Sequence, residues 1–168
     1  MRAGARALIA LAVLLGGAFV WARLFAGGNV GPIPGGWLRG QLASERPGDW
    51  SFANREPYLQ VESDARTLPY SASVWFVAYR GRLHLLLPAF FGDALKRRLD
   101  DDPRLRVALS GKLYDLVAVP ITDASDLAAL LTPVIRRQFA IEIAGPVTPV
   151  PGARGAGLWV YRLDDPPR

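Results

Sequence analysis

Between Arg6 and Arg23 the chain carries sixteen consecutive uncharged, mostly apolar residues, 7–22. A run of this kind has to be covered, by a protein core or by lipid. As a helix, sixteen residues rise about 24 Å, short of the roughly 30 Å hydrocarbon core of a bilayer. Including Leu24, Phe25 and Ala26, and letting Arg6 and Arg23 snorkel, brings it into spanning range. The expectation is a transmembrane anchor over residues 7–26 behind a cytoplasmic N-terminus of residues 1–6. A cleaved secretory signal and a buried core helix are the competing readings. Val20-Trp21-Ala22 is a poor cleavage site, with a bulky Trp inside it and Arg23 after it. Trp21 and Phe25 read instead as interfacial aromatics. Arg2, Arg6 and the terminal amine outweigh Arg23, which places the chain in the inner (plasma) membrane, single-pass, with an extracytoplasmic C-terminal domain.

The anchor changes how the composition reads. The net charge of +5 owes three arginines to the leader, and only Lys96 and Lys112 are lysines. No clustered Lys/Arg stripe interleaved with aromatics is present, so nucleic acid is not an expected partner. The sequence has no cysteine and one histidine. Disulfides, thiolate metal sites and multi-histidine sites are thereby excluded, and no metal is expected. Asp100 to Asp102 lacks the alternating ligand spacing of a calcium loop. Glu62 and Asp64 form a weak acid–base pair at a strand end with no third partner. His84 reads as a strand histidine facing away from Leu83 and Leu85.

Residues 27–36 (GGNVGPIPGG) are a Gly/Pro linker, residues 37–163 the domain, and residues 164–168 a tail. Short strands are expected at 37–42, 58–62, 71–79, 82–87, 106–110, 112–121 and 158–163. Arg80-Gly81 and Ser110-Gly111 read as the turns of two β-hairpins. A helix is expected over 91–100, with Phe91, Leu95 and Leu99 on one face and Asp93 in its first turn. A second helix, capped by Thr122 or Asp123, is expected to run to Phe139, with Pro133 kinking or ending it. The pattern is mainly β with two helices, a β-barrel or α+β domain.

The order SVWFVAYRGRLHLLL, then ALKRRLDDDPRLRVALSGKLYDLVAVPI, resembles the FMN-binding split-barrel proteins, the pyridoxamine-phosphate-oxidase-like superfamily. The Pro-Gly-Gly (34–36) and Asp-Trp-Ser-Phe (49–52) segments resemble an uncharacterised bacterial group of this layout. The resemblance implies a six-stranded split barrel, here preceded by the anchor, and a homodimer with a groove for a small molecule. The family's cofactor is FMN, F420 or haem. By matching position, the phosphate contacts would be Lys96 and Arg97, with Ser71 and Ser73 adding hydroxyls. Pro88-Ala89-Phe90-Phe91-Gly92 stands where the family usually has a more polar, hydroxyl-rich approach to that lysine. Two functions follow, a cofactor-free binding or interaction module and a flavin- or F420-dependent oxidoreductase. The departure at 88–92 and the export signal favour the first.

Overall fold

The computed structural model describes residues 2–25, 28, 35–63, 69–123, 125–131 and 157–167. The elements are α1 (Arg2–Phe25), β1 (Gln41–Leu42), a 3₁₀ turn (Ser51–Arg55), β2 (Leu59–Ser63), β3 (Tyr70–Tyr79) and β4 (Arg82–Pro88). They continue with α2 (Ala89–Asp101), β5 (Arg104–Leu109), β6 (Lys112–Pro120), a helix at 125–131 (α3) and β7 (Leu158–Asp164). Strands β6-β5-β2-β3-β4-β7 pair antiparallel in that order, and β6 pairs with β7. The sheet therefore closes on itself as a six-stranded antiparallel barrel.

Both expected hairpins form. Arg80 and Gly81 have φ of 50° and 75°, and Ser110 and Gly111 have φ of 50° and 76°. Two successive positive φ values give the type I′ turn whose twist matches paired strands. Alternation then sorts the side chains. Leu59 and Val61 of β2, Val74 and Phe76 of β3, and Leu83, Leu85 and Leu87 of β4 point inward. Leu105 and Val107 of β5, Leu116 of β6, and Tyr161 and Leu163 of β7 complete that core.

The ends of the barrel are closed by different means. Leu95 and Leu99 of α2 join the core at one end. At the other, Trp50 lies edge-on to Tyr114 at 4.9 Å and stacks on Phe52, and its backbone N–H donates to the Gly81 carbonyl. Strand β2 pairs with β3 only from Tyr70 to Val74, leaving the far half of β3 without a strand neighbour on that side among the described residues. Asn54 partly fills the gap: its Nδ2 donates to the Ala78 carbonyl and its Oδ1 accepts the Ala78 N–H, each at 2.9 Å. On the outside, Leu130 and Leu131 of α3 cover Val77, Leu86 and Val160.

Several expectations need correction. Of residues 37–42 only Gln41–Leu42 form a strand, parallel to β6, because the Leu38 N–H is engaged by a side chain and not by a neighbouring strand. The 3₁₀ turn at Ser51–Arg55 is an additional helix beyond the two expected in the domain. Helix α2 begins at Ala89, so Asp93 lies beyond its first turn. Pro88 holds an extended conformation (φ −62°, ψ 137°), and the Ala89 N–H donates to the Gly157 carbonyl, which sets the earlier start. Asp123 is the cap of α3, its Oδ1 accepting the Ser125 and Asp126 N–H groups. The remainder of that expected helix, 132–139, and Asp64 lie outside the described residues. The described side chains of α1 run from 7 to 21, and among the described residues no helix is long and apolar enough to cross a membrane.

Candidate functional site

The four residues assigned to a cofactor phosphate fall in different settings. Lys96 sits on the outer turn of α2, 2.5 Å from Asp100 Oδ2, with its Nζ 5.4 Å from the centre of the Trp159 ring. Asp100 is shared, since the Tyr161 hydroxyl donates to its other oxygen at 3.5 Å. Burial, followed by the Asp100 charge, pushes the Tyr161 hydroxyl up to about 12, so it stays protonated as a donor. Arg97 is exposed, and its Nε donates to the Asp93 carbonyl one turn back. Its neighbour Arg98 faces β3, stacked 4.9 Å from the Tyr70 ring. Ser71 and Ser73 project from the outer face of β3, whereas Lys96 packs against Trp159, which lies against the barrel core.

Ser71 is fully buried, and its Oγ has no hydrogen-bond partner. What covers it is the chain after α1. Gly35 exchanges two backbone hydrogen bonds with Ser71, and residues 35–42 then cross the barrel to β6 as a strap. In this arrangement the Ser71 hydroxyl is closed off from solvent, and the Lys96 ammonium is paired with Asp100 beside the Trp159 ring. Lys96 and Arg97 thus stand on α2, and Ser71 and Ser73 on the outer face of β3.

The Asp102-Pro103-Arg104 motif has a structural role. Asp102 accepts the Arg104 backbone N–H at 3.1 Å and pairs with its guanidinium at 2.6 Å, turning the chain from α2 into β5. The Pro103 carbonyl accepts the Ala118 N–H. Among the described residues, no group of three or more His, Asp or Glu side chains is placed to hold a metal ion.

The polar constellation that the fold does assemble runs across the outer faces of four strands. Ser71, Glu62, Arg106 and Asp115 are neighbours in register on β3, β2, β5 and β6. Glu62 is 5% exposed. One carboxylate oxygen accepts the Leu38 N–H of the strap, and the other lies 3.8 Å from Arg106 Nη1. Arg106 Nε donates to Asp115 at 2.7 Å. A buried carboxylate needs such partners. Strand alternation puts Glu62 outward, but its partners become visible only once β2 and β5 are in register.

His84 points away from Leu83 and Leu85, as expected, but is buried between β3 and β7. Burial holds its imidazole below the usual histidine range. Its Nδ1 lies 3.1 Å from the Arg82 carbonyl, an acceptor for a ring N–H. Trp37 is 52% exposed, while Trp50 is in the core and Trp75 and Trp159 are half-buried.

The fold defines a six-stranded antiparallel barrel with helices at its end and side. Weak similarity to several solved structures is found. A putative pyridoxamine 5'-phosphate oxidase from Listeria innocua is 11% identical, with 66% of this chain and 85% of that one covered at a TM-score of 0.46. A heme storage protein from Vibrio cholerae is 16% identical, with 70% and 87% covered at a TM-score of 0.48. An F420 reductase is 14% identical, with 73% and 97% covered at a TM-score of 0.45. No protein-family model and no curated protein matches the chain.

Proposed function

We propose that this chain is a membrane-tethered barrel that serves on the extracytoplasmic side as a binding or interaction module, without flavin or F420. The observation that carries the cofactor-free reading is the state of the two best phosphate candidates. Lys96 is engaged by Asp100 and Trp159, and Ser71 is sealed beneath the strap. Support for the tether comes from α1, on which Leu8, Ile9, Leu11, Val13, Leu14 and Leu15 are each 53–71% exposed. A row of apolar side chains this exposed is stable when lipid covers it.

The full chain, purified in detergent, is expected to show no absorbance between about 350 and 500 nm, where flavins and deazaflavins absorb. It should also give no saturable change on addition of FMN or F420. A bound chromophore that is lost in Lys96→Ala would replace this reading with the oxidoreductase one.

Sidedness has its own test, made clean by the absence of native cysteine. Lys112 is exposed at the start of β6. A Lys112→Cys variant should react with a membrane-impermeant maleimide in right-side-out vesicles and be protected in inverted ones. The opposite pattern would put the barrel in the cytoplasm.

A further inference from the structure

Residue 28 fixes where the barrel stands relative to the end of α1. Helix α1 ends at Phe25, and Gly28 is buried against the outer face of β2. A Cβ placed on Gly28 would lie 3.5 Å from the Gln60 side-chain amide and 3.6 Å from Leu38 Cδ2. Three residues of extended chain span at most about 10–11 Å. Gly28, seated against the outer face of β2 and beside Leu38 of the strap, therefore lies within that distance of the helix end.

The same flank carries apolar surface that the fold does not cover. Outside α1, the exposed large apolar side chains among the described residues are Trp37 (52%), Leu42 (54%), Phe52 (37%), Tyr58 (53%) and Leu158 (36%). Trp37 and Leu42 belong to the strap, on either side of the exposed Arg39. Tyr58 precedes β2 and shares by alternation the outward side of Gln60 and Glu62. Tryptophan and tyrosine with a nearby arginine match the chemistry of the membrane–water interface, where an amphipathic ring sits at headgroup level and a guanidinium reaches phosphate.

We propose that this flank, formed by Trp37, Leu42 and Tyr58 around Arg39, rests on the lipid surface into which α1 inserts. The proposal rests on the tether reading above and goes beyond it. A tether alone does not fix which face meets the lipid, whereas docking gives the barrel one orientation, with β2 toward the bilayer and β7 away. The occupant is lipid because two residues of connection cannot hold this face far from the end of the helix.

The test uses the full chain in phosphatidylcholine/phosphatidylglycerol vesicles, with single cysteines introduced by Leu42→Cys, Tyr58→Cys or Leu158→Cys and labelled with an environment-sensitive nitrobenzoxadiazole dye. Leu158 is the control, on β7, three strands from β2 in either direction around the barrel. Dyes at 42 and 58 should shift to the blue and lose emission to spin-labelled lipid, while the dye at 158 keeps an aqueous spectrum. Protein that floats with the vesicles but shows aqueous, unquenched dye at 42 and 58 overturns the docking alone. Protein that fails to float removes the tether, and the docking falls with it.

Discussion

Replacing Trp50 with alanine should cost the barrel about 3–5 kcal/mol, the range for deleting a large aromatic side chain from a well-packed core. Trp50 is 7% exposed and reaches across the turn end of the barrel to Tyr114 and Phe52. Its backbone is fixed independently, by its N–H to Gly81 and by the Ala53 N–H to its carbonyl. The surroundings are thus poorly able to collapse into the space left behind. The measurement is the urea midpoint of the purified full chain, wild type against Trp50→Ala, followed by circular dichroism. A loss below about 1 kcal/mol would mean that the turn end is not closed by this side chain.

Glu62→Ala should be the next most damaging change, at about 2–3 kcal/mol, because it removes a charged acceptor and leaves the Leu38 N–H and Arg106 to find other partners. The larger signature is local. Leu38 is held by Glu62, and Arg39 is the next residue, exposed and a trypsin site. With the strap released, cleavage after Arg39 should accelerate relative to cleavage after Arg55. Glu62→Gln keeps an oxygen for the Leu38 N–H but loses the charge opposite Arg106, so it should fall between wild type and alanine. Equal cleavage rates at Arg39 in all three proteins would show that the strap is held elsewhere.

Much of the barrel was legible because the signals were local. Each X-Gly pair marked a turn that admits two successive positive φ values. The residues on either side alternated clearly enough to predict the hairpins 71–79/82–87 and 106–110/112–121. Helix α2 could be anticipated from Leu95 and Leu99 at spacing four. What was missed depended on contacts distant in sequence. Residues 37–42 carry strand-like composition, yet Leu38 is 24 positions from the carboxylate that captures its N–H. The four-residue row from Ser71 to Asp115 required register across three pairings that no single segment encodes. The cofactor residues fared differently again. A motif match can place a lysine on the correct helix, but it cannot show that Asp100 four residues on and Trp159 from the last strand already engage it.

The pairing of Asn54 with Ala78 has a consequence for association. An exposed strand edge offers its N–H and C=O groups to any extended peptide that arrives, the usual route to strand addition and aggregation. Past Val74, β3 has no strand beside it on the β2 side among the described residues, and at Ala78 both main-chain groups facing that side are already engaged by a carboxamide from the same chain. A visiting strand would have to displace Asn54, on the short turn that follows Trp50, before it could extend the ladder. At Ala78 the seam in the barrel is thus guarded against strand addition.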